Sequence, residues 1–154
     1  MTGRFRAGFD GGSRGNPGPA AWGVVLLDDA DRPVEGFAGT IGRATNNVAE
    51  YSGLLEALAL AAERGADDVT LLADSELVVR QILGEYRVRH PDLVPLHAEA
   101  RRRAAAFAAF RIAHVPRARN KDADKLLNRA LDLVAASPGA DPVRLHEVFE
   151  TPSR

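Results

Sequence analysis

The hydrophobic period of the chain changes at Asn47, and that change restricts the fold more than any other feature of the sequence. Upstream, Phe5, Ala7 and Phe9 alternate with Arg6, Gly8 and Asp10, the period-2 signature of a strand that ends at Asp10. Residues 21–27 and 34–41 read as two further strands, separated by a turn-forming run at 28–33. Short connections make the three an antiparallel meander. From Asn47 onward, Tyr51, Leu54, Leu55, Leu58, Ala61 and Ala62 share one face of a helix that should end near Arg64-Gly65.

The rest of the chain alternates between the two periods. Residues 69–73 form a short apolar run closing on Asp74, followed by helical patterning in Leu77, Val78, Ile82 and Leu83 that stops at Gly84. Pro91 and Asp92 open another helix, with Leu93, Leu96, Ala100, Ala104 and Phe107 facing inward. Residues 110–115 make a last strand and 120–135 a last helix. The order β-β-β-α-β-α-α-β-α describes an α/β domain, and a right-handed crossover places strand four parallel to strand one. Beyond Ala136, Pro138, Gly139 and Pro142 interrupt any continuing helix. We therefore expect a catalytic domain over residues 1–136 and a flexible C-terminal tail over 137–154.

Composition narrows the class of function. Of 154 residues, 45% are hydrophobic and 27% charged, which excludes disorder for most of the chain. The absence of cysteine excludes disulfides, thiol nucleophiles and cysteine-ligated zinc, and makes the cytoplasm the expected compartment. No apolar run approaches the roughly 18 residues of a membrane span. The net charge is −1, yet nine basic residues face two acids between positions 100 and 129, a local surface suited to a polyanion. The glycine-rich loop after strand one contains no G-x-G-x-x-G and leads into a strand, so it is not a dinucleotide or P-loop cradle.

Four acids stand at the ends of elements: Asp10 and Asp74 close strands one and four, and Glu50 and Asp124 lie in the first turns of two helices. Singly, each has a structural explanation. Glu50 lies at capping-box distance from Asn47, and Asp124 complements its helix dipole. Together they read differently, because the Asp-bearing ends of parallel strands one and four meet at the sheet edge where open α/β sheets bind ligands. Clustered carboxylates there repel one another unless cations intervene, and oxygen donors favour Mg²⁺ or Mn²⁺. Two such ions about 3.5–4 Å apart are the usual device for in-line phosphodiester displacement.

Asp10-Gly-Gly-Ser-Arg-Gly-Asn-Pro-Gly-Pro19, Thr45-Asn-Asn-Val-Ala-Glu-Tyr51, Ala73-Asp-Ser75 and Asn120-Lys-Asp-Ala-Asp-Lys-Leu-Leu127 resemble the successive signatures of the ribonuclease HI family, in that family's order. The resemblance implies a ribonuclease H-like fold, with a five-stranded mixed sheet, three strands antiparallel and two parallel, and helices on both faces. It implies that Asp10, Glu50, Asp74 and Asp124 form the catalytic metal site. It places Arg43, Thr45 and Asn120 at a phosphate of the DNA strand, and Asn16, Asn46 and Asn47 beside Gly11 and Gly12 at RNA 2′-hydroxyls.

Two departures identify the shorter branch of that family. Gly84-Glu-Tyr-Arg-Val-Arg-His-Pro91 replaces a basic helical protrusion, and Pro116-Arg-Ala-Arg119 replaces a longer His-bearing loop, with Arg117 standing in for the missing histidine in turnover or product release. The implied activity is endonucleolytic hydrolysis of RNA in RNA/DNA hybrids, leaving 5′-phosphate and 3′-hydroxyl ends. The enzyme would use two Mg²⁺ or Mn²⁺ ions, no organic cofactor and no membrane, and would act as a monomer. The rival readings are a nuclease of the same fold acting on double-stranded RNA, and a catalytically silent hybrid-binding module.

Overall fold

The computed structural model describes residues 3–150. Its elements are β1 (Arg4–Ser13), β2 (Gly18–Leu27), β3 (Pro33–Ala44), α1 (Asn46–Glu63), β4 (Asp68–Ala73), α2 (Glu76–Ile82), α3 (Val94–Ala104), β5 (Ala109–His114), α4 (Lys121–Ala136) and β6 (Arg144–Val148). The strands form a single sheet in the order β5-β4-β1-β2-β3-β6. β1 is parallel to β4, and β4 to β5; the other three pairs are antiparallel.

Side-chain alternation along β2 explains why both faces of the sheet are covered. Trp22, Val24 and Leu26 enter one core with Phe5, Phe9, Tyr51, Leu54 and Leu58, so α1 packs across β1 and β2. Ala21 and Val25 enter a second core with Ala38, Leu126, Leu127 and Ala130, which places α4 on the opposite face. The small residues set the approach distance: a Cβ on Gly23 would stand 2.3 Å from the Ala123 carbonyl oxygen. Tyr51 is fully buried, and its hydroxyl donates to Gln81 Oε1 at 2.6 Å, which removes the cost of burying it and ties α1 to α2.

The sheet has six strands where five were expected. The added strand, β6, comes from the segment read as a tail and pairs antiparallel with β3, from Glu35↔Val148 to Gly39↔Arg144. Leu145 and Phe149 pack against the second core, and the His146 ring stacks on Phe37 at 4.6 Å. A free β3 edge supplies the hydrogen bonds that make so short and charged a segment extended. Two local readings also change. β1 continues past Asp10 to Ser13, and the N-cap of α1 is Thr45, whose hydroxyl accepts from Val48 N at 3.3 Å. Glu50 is therefore no capping-box partner of Asn47. Among the described residues no helix is long and apolar enough to cross a membrane.

Candidate active site

β1 and β4 run side by side in the same direction, so Asp10 and Asp74 arrive at one sheet edge, with Phe9 paired to Ala73 immediately before them. α1 brings Glu50 to the same point because glycine permits close approach. A Cβ on Gly53 would lie 2.6 Å from the Asp10 carbonyl oxygen, and one on Gly11 would lie 2.1 Å from the Ala49 carbonyl group. Asp10, Glu50 and Asp74 each offer a carboxylate oxygen within 4.8 Å of the other two. Asp124, in the first turn of α4, lines the same groove without joining that close set, near enough for its charge to act on Asp10 and Asp74.

The cluster is poor in positive charge. Gly11 N donates to Asp10 Oδ1 at 2.9 Å and to Glu50 Oε1 at 2.5 Å. Arg117 approaches Asp74 only to 3.9 Å, and its side chain is 89% exposed. Burial raises the Glu50 carboxyl well above the ordinary range, and its hydrogen bond with Asp10 and the charge of that neighbour raise it further. Burial raises Asp10 as well, reinforced by the charge of Asp74 and opposed by the hydrogen bond with Glu50. Asp74 is raised by burial, with Arg117 opposing. Buried oxygen donors that resist ionisation in one another's company fit a hard divalent cation, which relieves the repulsion.

The groove has a volume of about 430 Å³ and contains Gly11, Gly12, Asn46, Asn47 and Arg117 beside all four acids. Asn46 Oδ1 accepts from Ser13 N at 2.8 Å, and Asn16 Oδ1 accepts from Asn46 N at 3.0 Å. These two bonds fasten the β1–β2 loop to the start of α1. Arg43 lines a neighbouring groove with Thr40, Gly42 and Asp141, and Thr45 caps α1. Asn120 is not at a surface: it is buried, and its Nδ2 donates to the Phe9 carbonyl at 2.7 Å. Its position under β1 follows from Gly8, where a Cβ would stand 2.5 Å from Asn120 Oδ1. The amide expected to bind phosphate with Arg43 and Thr45 thus has its nitrogen engaged by the backbone of β1.

Sequence reasoning missed Asn128, Arg14 and Ser75, all of which line the groove. Asn128 follows Asp124 by one helical turn and donates to its Oδ1 at 3.3 Å, a relationship that the i, i+4 spacing would have disclosed. Ser75 caps α2 next to Asp74.

Comparison with known proteins matches residues 8–130 to the family described as reverse transcriptase-like. The chain is 50% identical to ribonuclease HI of Halobacterium salinarum over 130 residues, covering 84% of this chain and 65% of that protein. The crystal structure of RNase H1 from the same archaeon superposes with a TM-score of 0.80, covering 98% of that chain. Over 133 residues the chain is 49% identical to the bifunctional protein Rv2228c of Mycobacterium tuberculosis, covering 86% of this chain. It spans only 36% of that mycobacterial protein's length. LC11-RNase H1, solved in complex with an RNA/DNA hybrid, is 36% identical with a TM-score of 0.79, covering 85% of this chain and 99% of that one.

Proposed function

The chain belongs to the ribonuclease HI family, and from that premise we propose that it hydrolyses the RNA strand of RNA/DNA hybrids internally, leaving 5′-phosphate and 3′-hydroxyl ends. The observation that carries this reading is the convergence of Asp10, Glu50 and Asp74 within 4.8 Å, with Asp124 in the same groove beside glycine backbone and asparagine amides. Such a set of oxygen donors suits Mg²⁺, with Mn²⁺ as a substitute, and two ions are the proposed complement. When bound, these ions would supply an acidified water and charge stabilisation for the leaving 3′ oxygen.

The protein's own contribution is placement. Gly11 N–H holds one oxygen of Asp10 and one of Glu50, fixing both carboxyl groups at the strand–helix junction that lines the groove. Gly11 and Gly12 let a strand of nucleic acid approach the backbone closely, and the Asn46 and Asn47 amides can both donate to and accept from a 2′-hydroxyl. Asn16 supports them by holding Asn46. Arg43, in the neighbouring groove, and Thr45, at the start of α1, would hold a phosphate of the DNA strand, since phosphate contacts position a duplex while sugar and base contacts discriminate it. Arg117, exposed beside Asp74, is placed to attract the scissile phosphate or to help release product. All four acids come from one chain, which supports a monomeric working unit, and the lack of cysteine keeps the cytoplasm as the proposed compartment.

The test is cleavage of a 5′-labelled RNA strand in a hybrid, beside matched double-stranded RNA and DNA, with and without Mg²⁺. Cation-dependent cleavage confined to the hybrid is the expected result. Preferential cutting of double-stranded RNA would favour the first rival reading, and hybrid binding without cleavage the second.

A further inference from the structure

Asp124 is the one acid of the four that stands outside the close set, so something other than its neighbours must aim it. On α4, Asp124, Asn128 and Asp132 occur at intervals of four and form a ladder along one helix face. Asn128 Nδ2 donates to the Asp124 carbonyl at 2.9 Å and to Asp124 Oδ1 at 3.3 Å. On its other side, Asn128 Oδ1 accepts from Arg14 Nη2 at 3.2 Å. The same guanidinium nitrogen donates to the Asn128 carbonyl at 3.3 Å and to Asp132 at 2.7 Å. Arg14 belongs to the loop that joins β1 to β2, so the strand carrying Asp10 and the helix carrying Asp124 are tied together across the groove.

The chemistry of this chain has one polarity. A carboxylate accepts only and a guanidinium donates only, so an amide between them must turn its NH₂ toward Asp124 and its oxygen toward Arg14. Flipping the amide would place oxygen against carboxylate and NH₂ against guanidinium, which loses both bonds. Aspartate at 128 would add a like charge beside Asp124, and an aliphatic side chain would leave Asp124 free to rotate. Among the described residues no side chain other than Asn128 donates to the Asp124 carboxylate, so its second oxygen stays available for a cation.

We infer that Asn128 is a positioning residue that holds Asp124 in the orientation needed to complete the metal site, and that Arg14 locks the Asn128 amide in place. The inference rests on the reading of Asp124 as a cation ligand. Groups that orient metal ligands typically carry a 10–100-fold effect on metal affinity or activity, and that range sets the scale here.

The experiment is a calorimetric titration of the nucleic-acid-free protein with Mn²⁺, paired with steady-state cleavage of a hybrid across a range of cation concentrations. Asn128→Ala is expected to weaken Mn²⁺ binding about tenfold and to lower kcat at limiting cation. The hybrid KM should stay within about twofold, and excess cation should restore kcat. Arg14→Ala, a change at an exposed side chain, should move the titration in the same direction by a smaller factor. The double variant should be no worse than Asn128→Ala, because both changes act through one amide. Arg129→Ala, on the adjacent position of α4 and paired instead with Glu147, should match the parent. Asp124→Asn, run in parallel, separates the two ideas. If it binds Mn²⁺ and cleaves like the parent, the reading of Asp124 as a ligand fails. If it is impaired while Asn128→Ala and Arg14→Ala both match the parent in titration and kcat, the positioning role alone is overturned.

Discussion

The backbone N–H of Gly11 donates to Glu50 Oε1 at 2.5 Å, although 39 residues separate them in the chain. That bond exists because α1 crosses β1 with nothing but hydrogen on the Gly11 α-carbon between them. The first prediction follows. Gly11→Ala forces a Cβ to within 2.1 Å of the Ala49 carbonyl, where the obstacle is helix backbone and cannot swing aside. The helix must shift and take Glu50 with it. We expect a loss of stability of about 1–3 kcal/mol and a fall in cleavage of more than a hundredfold even in the folded fraction. Parent-like activity with parent-like melting would show that the contact is not needed to place Glu50.

The second prediction concerns pH. Burial and the charge of Asp74 raise Asp10 to about 6 in the fold, so the native state binds that proton more tightly than the unfolded chain does. Stability from this source is complete below the ordinary aspartate range and is lost as pH rises through about 6. Without divalent cation, the melting temperature of the parent relative to Asp10→Asn should therefore fall between pH 5 and pH 8. Added Mg²⁺ should raise the parent's melting temperature more at pH 8 than at pH 5, because binding to the native state stabilises it and ionised carboxylates bind better. Equal cation effects at both pH values would contradict the account.

The third prediction addresses the C-terminal segment. Val143, Leu145 and Phe149 pack on the second core, and Thr40 fastens the approach to β6 by donating to Asp141 at 2.6 Å and accepting from Val143 N at 2.7 Å. None of these groups touches the four acids. Truncation after Ala136 should lower the melting temperature by several degrees while leaving turnover at a permissive temperature within about tenfold. A truncated protein that melts like the parent would show that β6 adds nothing to stability. A folded one with a larger loss of turnover would place the segment in catalysis.

How much of this was legible beforehand depends on the range of the interaction. The strands and helices that carry Asp10, Glu50, Asp74 and Asp124 followed from local hydrophobic period, and the resemblance then joined the four acids into one site. What escaped the sequence was set by distant partners. Residues 144–148 carry three charged or polar side chains in five and become a strand only against the open edge of β3. Asn47 and Thr45 are both good caps, and the choice between them depends on the backbone of the first turn rather than on residue type. Asn120 sits in a motif associated with the surface, yet the missing side chain at Gly8 opens a place for it beneath β1. Asn128 was overlooked because an asparagine within a helix looks ordinary until Arg14 is brought against it from the other end of the chain.

The fourth prediction concerns discrimination between RNA and DNA. With Gly11, Gly12, Asn46 and Asn47 in one groove, several adjacent 2′-hydroxyls would be tested at once. Stepwise deoxy substitution beside the scissile phosphate should reduce cleavage stepwise, at roughly 1–3 kcal/mol for each group left unpaired. A lone ribonucleotide embedded in DNA should be a very poor substrate. Cutting it as fast as a continuous hybrid would overturn the multi-hydroxyl account.

The central claim is that clustered carboxylates at the β1–β4 edge perform metal-dependent cleavage of the RNA strand, and single substitutions that preserve shape while removing charge test it most directly. Asp10→Asn and Asp74→Asn should each bind a labelled hybrid with affinity comparable to the parent and yet show no cleavage in Mg²⁺ above background. Near-parent turnover by either purified variant would contradict the account.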